Sequence, residues 1–497
     1  MSQKQYEGSL DRRRAGILLH ITSLPGPAAC GDLGADAYRF VDFIQQAGFT
    51  VWQILPVGPT QSDGSPYQSS SMHAGNPRLI SIGELVDQAL LPAAKMPHER
   101  ISDSHKTQLL HQAWQTFQSN PQREIQAELD RFITENTSWL ENYTLFRALR
   151  EENNLQCWWE WPASIRDRDA AALEQAKRRL SLSLDYIRFE QFIFFRQWMK
   201  LKRYANQRGI QLFGDMPIFV AHDSAEVWAN RDMFELDPEG HPIVVAGVPP
   251  DYFSATGQRW GNPLYRWDVL ERNGFSFWVD RMRTQLALFD LVRVDHFRGF
   301  EAYWEIPAAH ENAINGRWVK VPGDRLFQHL HKIYDPLPLV AEDLGYITPE
   351  VDALRRSFGL PGMKILQFAF SGGADNPYLP FKHEANSVTY TGTHDNDTTL
   401  GWYLDLDDAS RQYVDEYLGK SKEVMPWPVI RSALASRSRL AVIPMQDILA
   451  LGSGHRMNLP GTAEGNWSWR FQWQQIPVDL AQRLRRRVEM YGRSGRD

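Results

Sequence analysis

Eight short apolar segments, most of them nearly continuous, do most to limit the folds open to this chain. They occupy residues 16–20, 51–57, 210–216, 289–295, 338–343, 363–370, 387–392 and 440–447. A strand with one exposed face alternates apolar and polar residues, whereas a parallel strand buried on both faces is apolar throughout. The segments therefore predict a buried parallel sheet.

Helical patterns lie between these segments. Residues 34–48 place apolar side chains at helical spacing and end at Gly48, a residue suited to a helix C-terminus. A second pattern over residues 189–209 ends at Gly209, directly before the third strand segment. Strands that alternate with capped helices are typical of a parallel α/β architecture. With eight strands, the pattern predicts a TIM (β/α)8 barrel.

The chain has 497 residues, and the predicted strands are unevenly spaced along it. A TIM barrel usually needs about 250 residues and reaches more than about 400 with insertions. We therefore expect a single barrel over residues 1–497 rather than several independent domains. Its predicted insertions are a mostly helical stretch at about 84–208, a loop-rich stretch at 217–288 and another at 299–337. Insertions on the C-terminal side of barrel strands build the walls of a functional site.

Charge and cysteine content exclude several classes of protein. The formal net charge is −6, so there is no basic field to hold nucleic-acid phosphates. Two cysteines cannot make a disulfide framework, which fits a reducing compartment. The N-terminal segment is polar, and no apolar run approaches the roughly 20 residues needed to span a bilayer. We expect a soluble cytoplasmic protein that binds neither nucleic acid nor membranes.

Three acidic residues lie at or just beyond the ends of predicted strands. They are Asp295 in LVRVDHFRGF, Glu342 in PLVAEDLGYITPE and Asp395 in VTYTGTHDNDT. The C-terminal ends of barrel strands face one shared bowl, so residues far apart in sequence meet there. Cleavage of a glycosidic bond needs one carboxyl to protonate the leaving oxygen and a second to attack or flank the anomeric carbon. The three acids are therefore candidates for that chemistry.

Asp295 is the nucleophile candidate because it has a cationic neighbour on its own strand. Side chains alternate across a strand, so Arg293 and Asp295 point the same way. A guanidinium beside a carboxylate favours the ionised form that a nucleophile needs. A purely structural ion pair at the strand end is the alternative interpretation.

The acid/base candidate is ambiguous locally, because Glu342 and Asp343 are adjacent and face opposite sides of the strand. The longer Glu342 is favoured for protonating an oxygen across a cleft, and Asp343 would then be a hydrogen-bonded structural group. A third candidate group follows the seventh strand segment, where His394 and Asp395 begin a cluster of side chains that hydrogen-bond sugars well. Asp215 in LFGDMP is a fourth candidate, with a turn-bracing role as its alternative.

Long motifs from about residue 16 to residue 473 resemble the conserved regions of the α-amylase clan of glycoside enzymes, in the same order. More closely, the chain is similar to the amylomaltase family of 4-α-glucanotransferases. The motifs that carry the resemblance are SLPG with CGDLG, SPYQS with AGNP, GDMPIFVAHDSAEVW, GVPPDYFSATGQRWGNPLY, RVDHFRGF, AEDLG, THDNDT and RMNLPGTAEGNWSWR.

The resemblance implies a retaining transfer of an α-1,4-glucan segment to the 4-hydroxyl of an acceptor. Asp295 would be the nucleophile that forms a glucosyl–enzyme intermediate, and Glu342 the general acid and then the base. Asp395 would stabilise the transition state through the sugar hydroxyls. The implied partners are maltooligosaccharides and α-1,4-glucans derived from starch or glycogen, with glucose as an acceptor. No cofactor is implied, and no compact cluster of metal ligands stands out in the sequence.

The same similarity implies a set of substrate contacts. Arg293 and His394 would line the subsite of the sugar being cleaved, with Asp215 at its floor and Tyr67 on the donor side. The loop at 247–265 resembles the family's mobile flap, and Asn466 with Trp467 would close the opposite rim. The flap residues expected to touch the glucan are Asp251, Tyr252, Phe253, Gln258 and Trp260.

Two rival functions remain open at this stage. An α-1,4-glucan hydrolase of the same clan would use the same fold and the same carboxylates, with water as the acceptor. A catalytically inactive glucan-binding protein on this barrel would be supported by the loss of an acid, yet all three are present.

Overall fold

All eight predicted segments contribute a strand to one parallel sheet in the computed structural model, which describes residues 10–96, 100–250, 254–419, 422–462 and 464–494. Four further strands form a second sheet. In chain order the strands are β1 (Arg14–Leu18), β2 (Val51–Gln53), β3 (Gln211–Met216), β4 (Val244–Val248), β5 (Gln258–Pro263), β6 (Leu291–Val294), β7 (Ala302–Pro307), β8 (Arg317–Lys320), β9 (Leu339–Ala341), β10 (Gly362–Ile365), β11 (Ser387–Tyr390) and β12 (Leu440–Pro444).

The parallel sheet runs in the order β10-β11-β12-β1-β2-β3-β6-β9. Its two edge strands meet, because the backbone N–H of Ala341 in β9 donates to the carbonyl of Pro361, next to the start of β10, over 2.9 Å. The sheet therefore curls into a nearly closed barrel. β1, β2, β6, β9, β11 and β12 are buried along their whole length, as continuous apolar runs predict. The predicted TIM-barrel fold is confirmed.

Helices surround and extend this barrel. In the described residues the α-helices are α1 (Ala35–Gln46), α2 (Ile82–Asp87), α3 (Asp103–Ser119), α4 (Arg123–Glu135), α5 (Thr137–Glu152), α6 (Ala163–Arg166), α7 (Ala170–Arg179), α8 (Ser181–Gln207), α9 (Ala225–Ala229), α10 (Trp267–Arg272), α11 (Ser276–Leu288), α12 (Gly323–Ile333), α13 (Pro349–Ser357), α14 (Thr399–Asp405), α15 (Asp408–Leu418), α16 (Trp427–Ala435), α17 (Met445–Ile448) and α18 (Leu480–Met490). Gly48 follows α1 at φ 81° and Gly209 follows α8 at φ 75°. Both occupy the left-handed region that ends helices, as their positions predict. No helix of the described residues is both long and apolar enough to cross a membrane.

The stretches predicted to be loop-rich contain an antiparallel sheet in the order β5-β4-β7-β8. Here the structure differs from the expectation of loops. β4 and β5 come from the chain before β6, whereas β7 and β8 come from the chain after it. β8 is an edge strand with mostly exposed residues, so no apolar run marks it in the sequence. β4 pairs with β7, so the sheet joins two segments that β6 separates in the chain. Local sequence patterns do not reveal pairing between such distant segments.

The long helix α8 fixes the loop that carries Tyr67. The side-chain amide of Gln191 accepts from the N–H of Gly75 over 2.8 Å and donates to its carbonyl over 2.9 Å. Gln197 makes the same pair of bonds with Ser81, over 2.7 and 3.0 Å. Both glutamines are buried, where such bonds are not exchanged with water. The helical segment therefore anchors a loop of the site at two points.

Candidate active site

Three of the four candidate acids lie on or directly after neighbouring strands, at the C-terminal end of the barrel. Asp215 is in β3, and Asp295 and Glu342 directly follow β6 and β9, which are consecutive in the sheet. The N–H of Asp295 donates to the carbonyl of Met216 over 2.9 Å, and the N–H of Glu342 to that of Val294 over 3.0 Å. The strand ladder thus continues through both acids and fixes their backbone positions.

Arg293 bridges two of the carboxylates. Its Nη1 lies 2.7 and 2.8 Å from the two oxygens of Asp215, and its Nη2 lies 2.7 Å from Oδ1 of Asp295. Burial lowers the pKa of Arg293, but the two carboxylates outweigh it and raise this pKa well above its usual value. The Asp215 side chain is fully buried, whereas that of Asp295 is 30% exposed. Of the two, only Asp295 presents a carboxylate to the cleft.

The Glu342 carboxyl is held by backbone groups. Its Oε2 accepts the N–H of His296 over 2.7 Å, and its Oε1 accepts the N–H of Leu344 over 2.9 Å. Burial raises the pKa of Glu342 to about 7, with Arg293 opposing the shift and the charge of Asp295 adding to it. A carboxyl with this pKa holds its proton for much of the time near neutral pH, as a general acid must.

Asp343 faces away from this group and makes structural contacts. Its Oδ1 accepts the N–H of Met363 at the start of β10 over 2.6 Å, and its Oδ2 lies 3.3 Å from Nε of Arg355 in α13. A Cβ on Gly362 would meet Oδ2 of Asp343 at 2.2 Å, so this strand start has no room for a side chain. Asp343 therefore ties β9 to its neighbour, while Glu342 is free to face the cleft.

Asp395 lies in the loop after β11, with its side chain 46% exposed. Its Oδ1 accepts from the Asn458 amide over 2.7 Å, and its Oδ2 lies 3.4 Å from Nε2 of His394. Asn458 belongs to the RMNLPG motif, but the sequence analysis did not single it out. Because the carboxylate is held from one side and open on the other, it can accept hydrogen bonds from a ligand.

Tyr67 links Asp215 in β3 to His394 in the loop after β11. Its hydroxyl donates to Oδ2 of Asp215 over 2.8 Å and lies 2.9 Å from Nε2 of His394. Burial and the charge of Asp215 raise the pKa of Tyr67 well above its usual value, so the phenol keeps its proton. Since that single proton goes to Asp215, Nε2 of His394 is the donor in the second contact. The two rings stack with centroids 5.2 Å apart.

Two of the predicted flap contacts, Gln258 and Trp260, lie within the described residues. Trp260 in β5 donates from Nε1 to the Gln258 side chain over 3.0 Å, and its ring meets that of His296 edge-on at 4.8 Å. The structure therefore places Trp260 against the residue that follows Asp295. The other three predicted flap contacts lie outside the described residues: Asp251, Tyr252 and Phe253.

Asn466 and Trp467, both predicted to close the opposite rim, differ in their contacts. The Asn466 amide accepts from Leu459 N–H over 2.9 Å and donates to the Thr462 carbonyl over 3.0 Å, so its bonds close its own loop. The Trp467 ring approaches the site, with its centroid 5.9 Å from that of Tyr67. Trp467 thus lies next to Tyr67, and the hydrogen bonds of Asn466 hold the loop that precedes Trp467.

Two kinds of group in this site escaped the sequence analysis. Backbone donors such as the N–H of His296 carry no mark in a sequence. The second is His20, in HITSLPG, which is buried near His394. Burial, together with the electrostatic effect of His394, lowers the pKa of His20 to about 3.

In the part of the chain that the structure describes, no group of three or more His, Cys, Asp and Glu side chains is arranged to hold a metal ion.

Comparison with known proteins agrees with this geometry. The family described as 4-alpha-glucanotransferase, glycoside hydrolase family 77, matches residues 19–476. A 4-alpha-glucanotransferase of Thermus thermophilus is 50% identical over 491 residues, covering 96% of this chain and 98% of that protein. One of Synechocystis sp. is 48% identical over 498 residues, covering 97% and 99%.

Solved structures agree with the fold. An amylomaltase from Streptococcus agalactiae in complex with acarbose superposes with a TM-score of 0.93 at 35% identity, covering 97% of this chain and 100% of that one. An amylomaltase from Corynebacterium glutamicum, 19% identical, shares the fold with a TM-score of 0.79 over 99% of this chain and 77% of that one. With a matching family over most of its length and relatives this similar, the chain belongs to the 4-alpha-glucanotransferase family and is an enzyme of that activity.

Proposed function

We propose that the enzyme works by retention, with Asp295 as nucleophile, Glu342 as acid/base and Asp395 as stabiliser. The observation that carries this assignment is the contrast between two carboxyls on adjacent strands. Asp295 is paired with Arg293 and partly exposed, whereas burial raises the pKa of Glu342 to about 7. Two acids with different environments can take different roles in one reaction.

In the first step, a carboxylate oxygen of Asp295 attacks the anomeric carbon while Glu342 gives its proton to the glycosidic oxygen. The bond to the leaving glucan breaks, and that glucan departs with a free 4-hydroxyl. In the second step, the 4-hydroxyl of an acceptor gives its proton to Glu342 and attacks the same carbon, which releases Asp295. Two inversions give net retention, and they require the two carboxyls to be about 5–5.5 Å apart.

The other assigned residues would hold the donor glucan. Asp395 has one oxygen bound to Asn458 and its outer side open, which suits a bond to sugar hydroxyls that strengthens in the transition state. Arg293, His394, Asp215 and Tyr67 form one connected polar network that would bind the sugar at the cleavage point. Asn466 is assigned to the far rim.

Transfer rather than hydrolysis requires that water be kept from the intermediate. We assign that task to the flap, whose Trp260 meets the ring of His296 and donates to the Gln258 side chain. Asp251, Tyr252 and Phe253 are proposed to touch the glucan from the same flap. We further propose that the chain is one catalytic unit, with the stretches at about 84–208, 217–288 and 299–337 acting as insertions that wall its cleft.

The donors we propose are maltooligosaccharides and α-1,4-glucans from starch or glycogen, with glucose among the acceptors. Both cysteines, Cys30 and Cys157, are free thiols, which supports the proposal of a cytoplasmic enzyme.

Incubation of the pure protein with maltotriose alone, followed by chromatography over time, tests the transfer. We expect glucose together with a ladder of maltooligosaccharides longer than the substrate. Glucose and maltose without longer products would instead identify water as the acceptor and overturn the proposed mechanism in favour of an α-1,4-glucan hydrolase.

A further inference from the structure

Two exposed aromatic side chains and one buried arginine form a group beyond the proposed catalytic acids. Tyr346 is 75% exposed and Trp318, in the edge strand β8, is 37% exposed. The guanidinium carbon of Arg298 lies 3.6 Å from the Trp318 ring centroid and 5.4 Å from that of Tyr346. Arg298 is itself buried and also donates to the Tyr346 carbonyl. We call this group of three residues the aromatic rim.

Arg298 and Tyr346 of the aromatic rim belong to the two loops that carry the proposed catalytic pair. Arg298 follows Asp295 by three residues, and Tyr346 follows Glu342 by four. A chain spans at most ~3.6 Å per residue, so the Tyr346 Cα lies within about 14 Å of the Glu342 Cα. The same loops are joined where the Phe297 N–H donates to the Glu342 carbonyl over 3.1 Å. The rim therefore borders the cleft on the side of the acid/base.

That side is the one where the leaving and entering glucans must lie. Glu342 exchanges a proton with the oxygen of the leaving or entering glucan. In contrast, Asp215 in β3 and Tyr67 in the loop after β2, which we assign to the sugar being cleaved, lie on the other side of Asp295 in the strand order.

The rim has the chemistry of a sugar-binding surface. The face of an aromatic ring is electron-rich, and the C–H groups on the flat face of a glucose ring carry a small positive charge, so the two attract. The cation–π contact with Arg298 holds Trp318 in place before any ligand arrives, which lowers the entropic cost of binding. Arg298 lies farther from the ring of Tyr346 than from that of Trp318, and most of the Tyr346 side chain is exposed and open to a ligand.

We propose that Tyr346, supported by Trp318 and Arg298, forms an acceptor subsite that binds the second or a later glucose unit of an acceptor chain. This inference rests on the proposed direction of transfer and extends it to acceptor length. A single glucose acceptor, which occupies only the position next to Glu342, would not reach the rim. The enzyme would therefore prefer longer acceptors because of these residues.

The experiment uses the full chain with α-glucosyl fluoride as a fixed donor and either glucose or maltotriose as the acceptor. For Tyr346→Ala we expect the KM for maltotriose to rise about tenfold, as loss of one ring contact predicts. The KM for glucose and the kcat with either acceptor should be unchanged. Tyr346→Phe, which keeps the ring, should retain the wild-type KM for maltotriose. Trp318→Leu should raise this KM in the same acceptor-specific way.

Other outcomes would overturn the subsite. An equal effect of Tyr346→Ala on both acceptors, or no effect on either, would show that the rim does not bind the acceptor chain. A change in the KM for the fluoride donor would assign the rim to the donor side instead. Failure of the wild-type enzyme to transfer to any acceptor would contradict the proposed function itself, and the wild-type control separates that result from failure of the subsite.

Discussion

The backbone N–H of His296 donates to Oε2 of Glu342 over 2.7 Å, so the residue that follows one proposed catalytic acid holds the other. His296 adopts the left-handed conformation at φ 52°, which side chains other than glycine rarely adopt. The turn at His296, two residues after the end of β6, directs the N–H of His296 toward Glu342. The relative position of the two carboxyls therefore depends on one strained backbone residue.

Substitution of His296 tests this dependence. Asparagine tolerates the left-handed region and valine does not, because of its branched Cβ. We expect His296→Val to lower the free energy of unfolding by about 1–2 kcal/mol more than His296→Asn does. His296→Val should also lower kcat, because the N–H no longer points at Glu342. Urea denaturation and initial rates with maltotriose measure both effects, and equal values for the two variants would contradict the role of the turn.

Variants of the two carboxyls separate their roles. Glu342→Gln should lower turnover of maltotriose by about 10²–10⁴-fold while leaving glucan binding largely intact, since it removes only proton transfer. With α-glucosyl fluoride, whose leaving group needs no protonation, it should still form a glucosyl–enzyme. Asp295→Asn should form no covalent adduct, which intact mass spectrometry can check. A trapped adduct in Asp295→Asn would move the nucleophile elsewhere.

The pKa of Glu342 predicts the pH dependence of activity. Burial raises this pKa from 4.5 to about 7, and the proposed first step needs the protonated form. The value of kcat/KM should therefore fall as the pH rises through about 7, by about tenfold per pH unit well above it. Measuring kcat/KM for maltotriose between pH 5 and pH 9 locates this limb. A constant kcat/KM up to pH 9 would show that Glu342 is not the acid.

Glu226 should make stability depend on pH for a reason unrelated to catalysis. It is buried in α9, with Oε1 accepting from the Ser71 hydroxyl over 2.7 Å, and burial raises its pKa from 4.5 to about 7. The unfolded chain loses this proton first, so stability should fall as the pH rises from 4.5 to about 7.

Removing the charge of Glu226 should abolish that loss. Glu226→Gln should match the wild type at pH 4.5 and exceed its free energy of unfolding at pH 8 by on the order of 3 kcal/mol. Urea denaturation at both values of pH provides the comparison. Equal destabilisation at the two values would mean that packing or hydrogen bonding, rather than ionisation, governs this position.

Gly75 should tolerate no side chain. A Cβ at this position would lie 1.9 Å from the Phe194 ring, while its N–H and carbonyl are bound by Gln191. We expect Gly75→Ala to cost about 1–3 kcal/mol of stability, as overpacking does, and to raise the KM for maltotriose by displacing the loop of Tyr67. Phe194→Leu in the same chain should restore part of the lost stability. Without such recovery, the clash with Phe194 is not the cause.

The barrel could be predicted because its strands are buried on both faces, so burial alone makes them apolar runs. Asp295 and Glu342 could be picked out as candidates because each acid comes at the end of such a run. The antiparallel sheet could not be found, since β4 pairs with β7 although β6 lies between them in the chain, and β8 is largely exposed. Local pattern carries no information about pairing of this kind.

Residue types at local spacing were enough to predict the strands of the barrel in chain order and to single out the candidate acids. Only the tertiary structure decided what surrounds each acid. It placed Asp343 against Arg355, gave Glu342 two backbone donors and its raised pKa, and brought Asn458 to Asp395. These properties depend on burial and on distances between residues far apart in the chain, and such distances exist only once the barrel has formed.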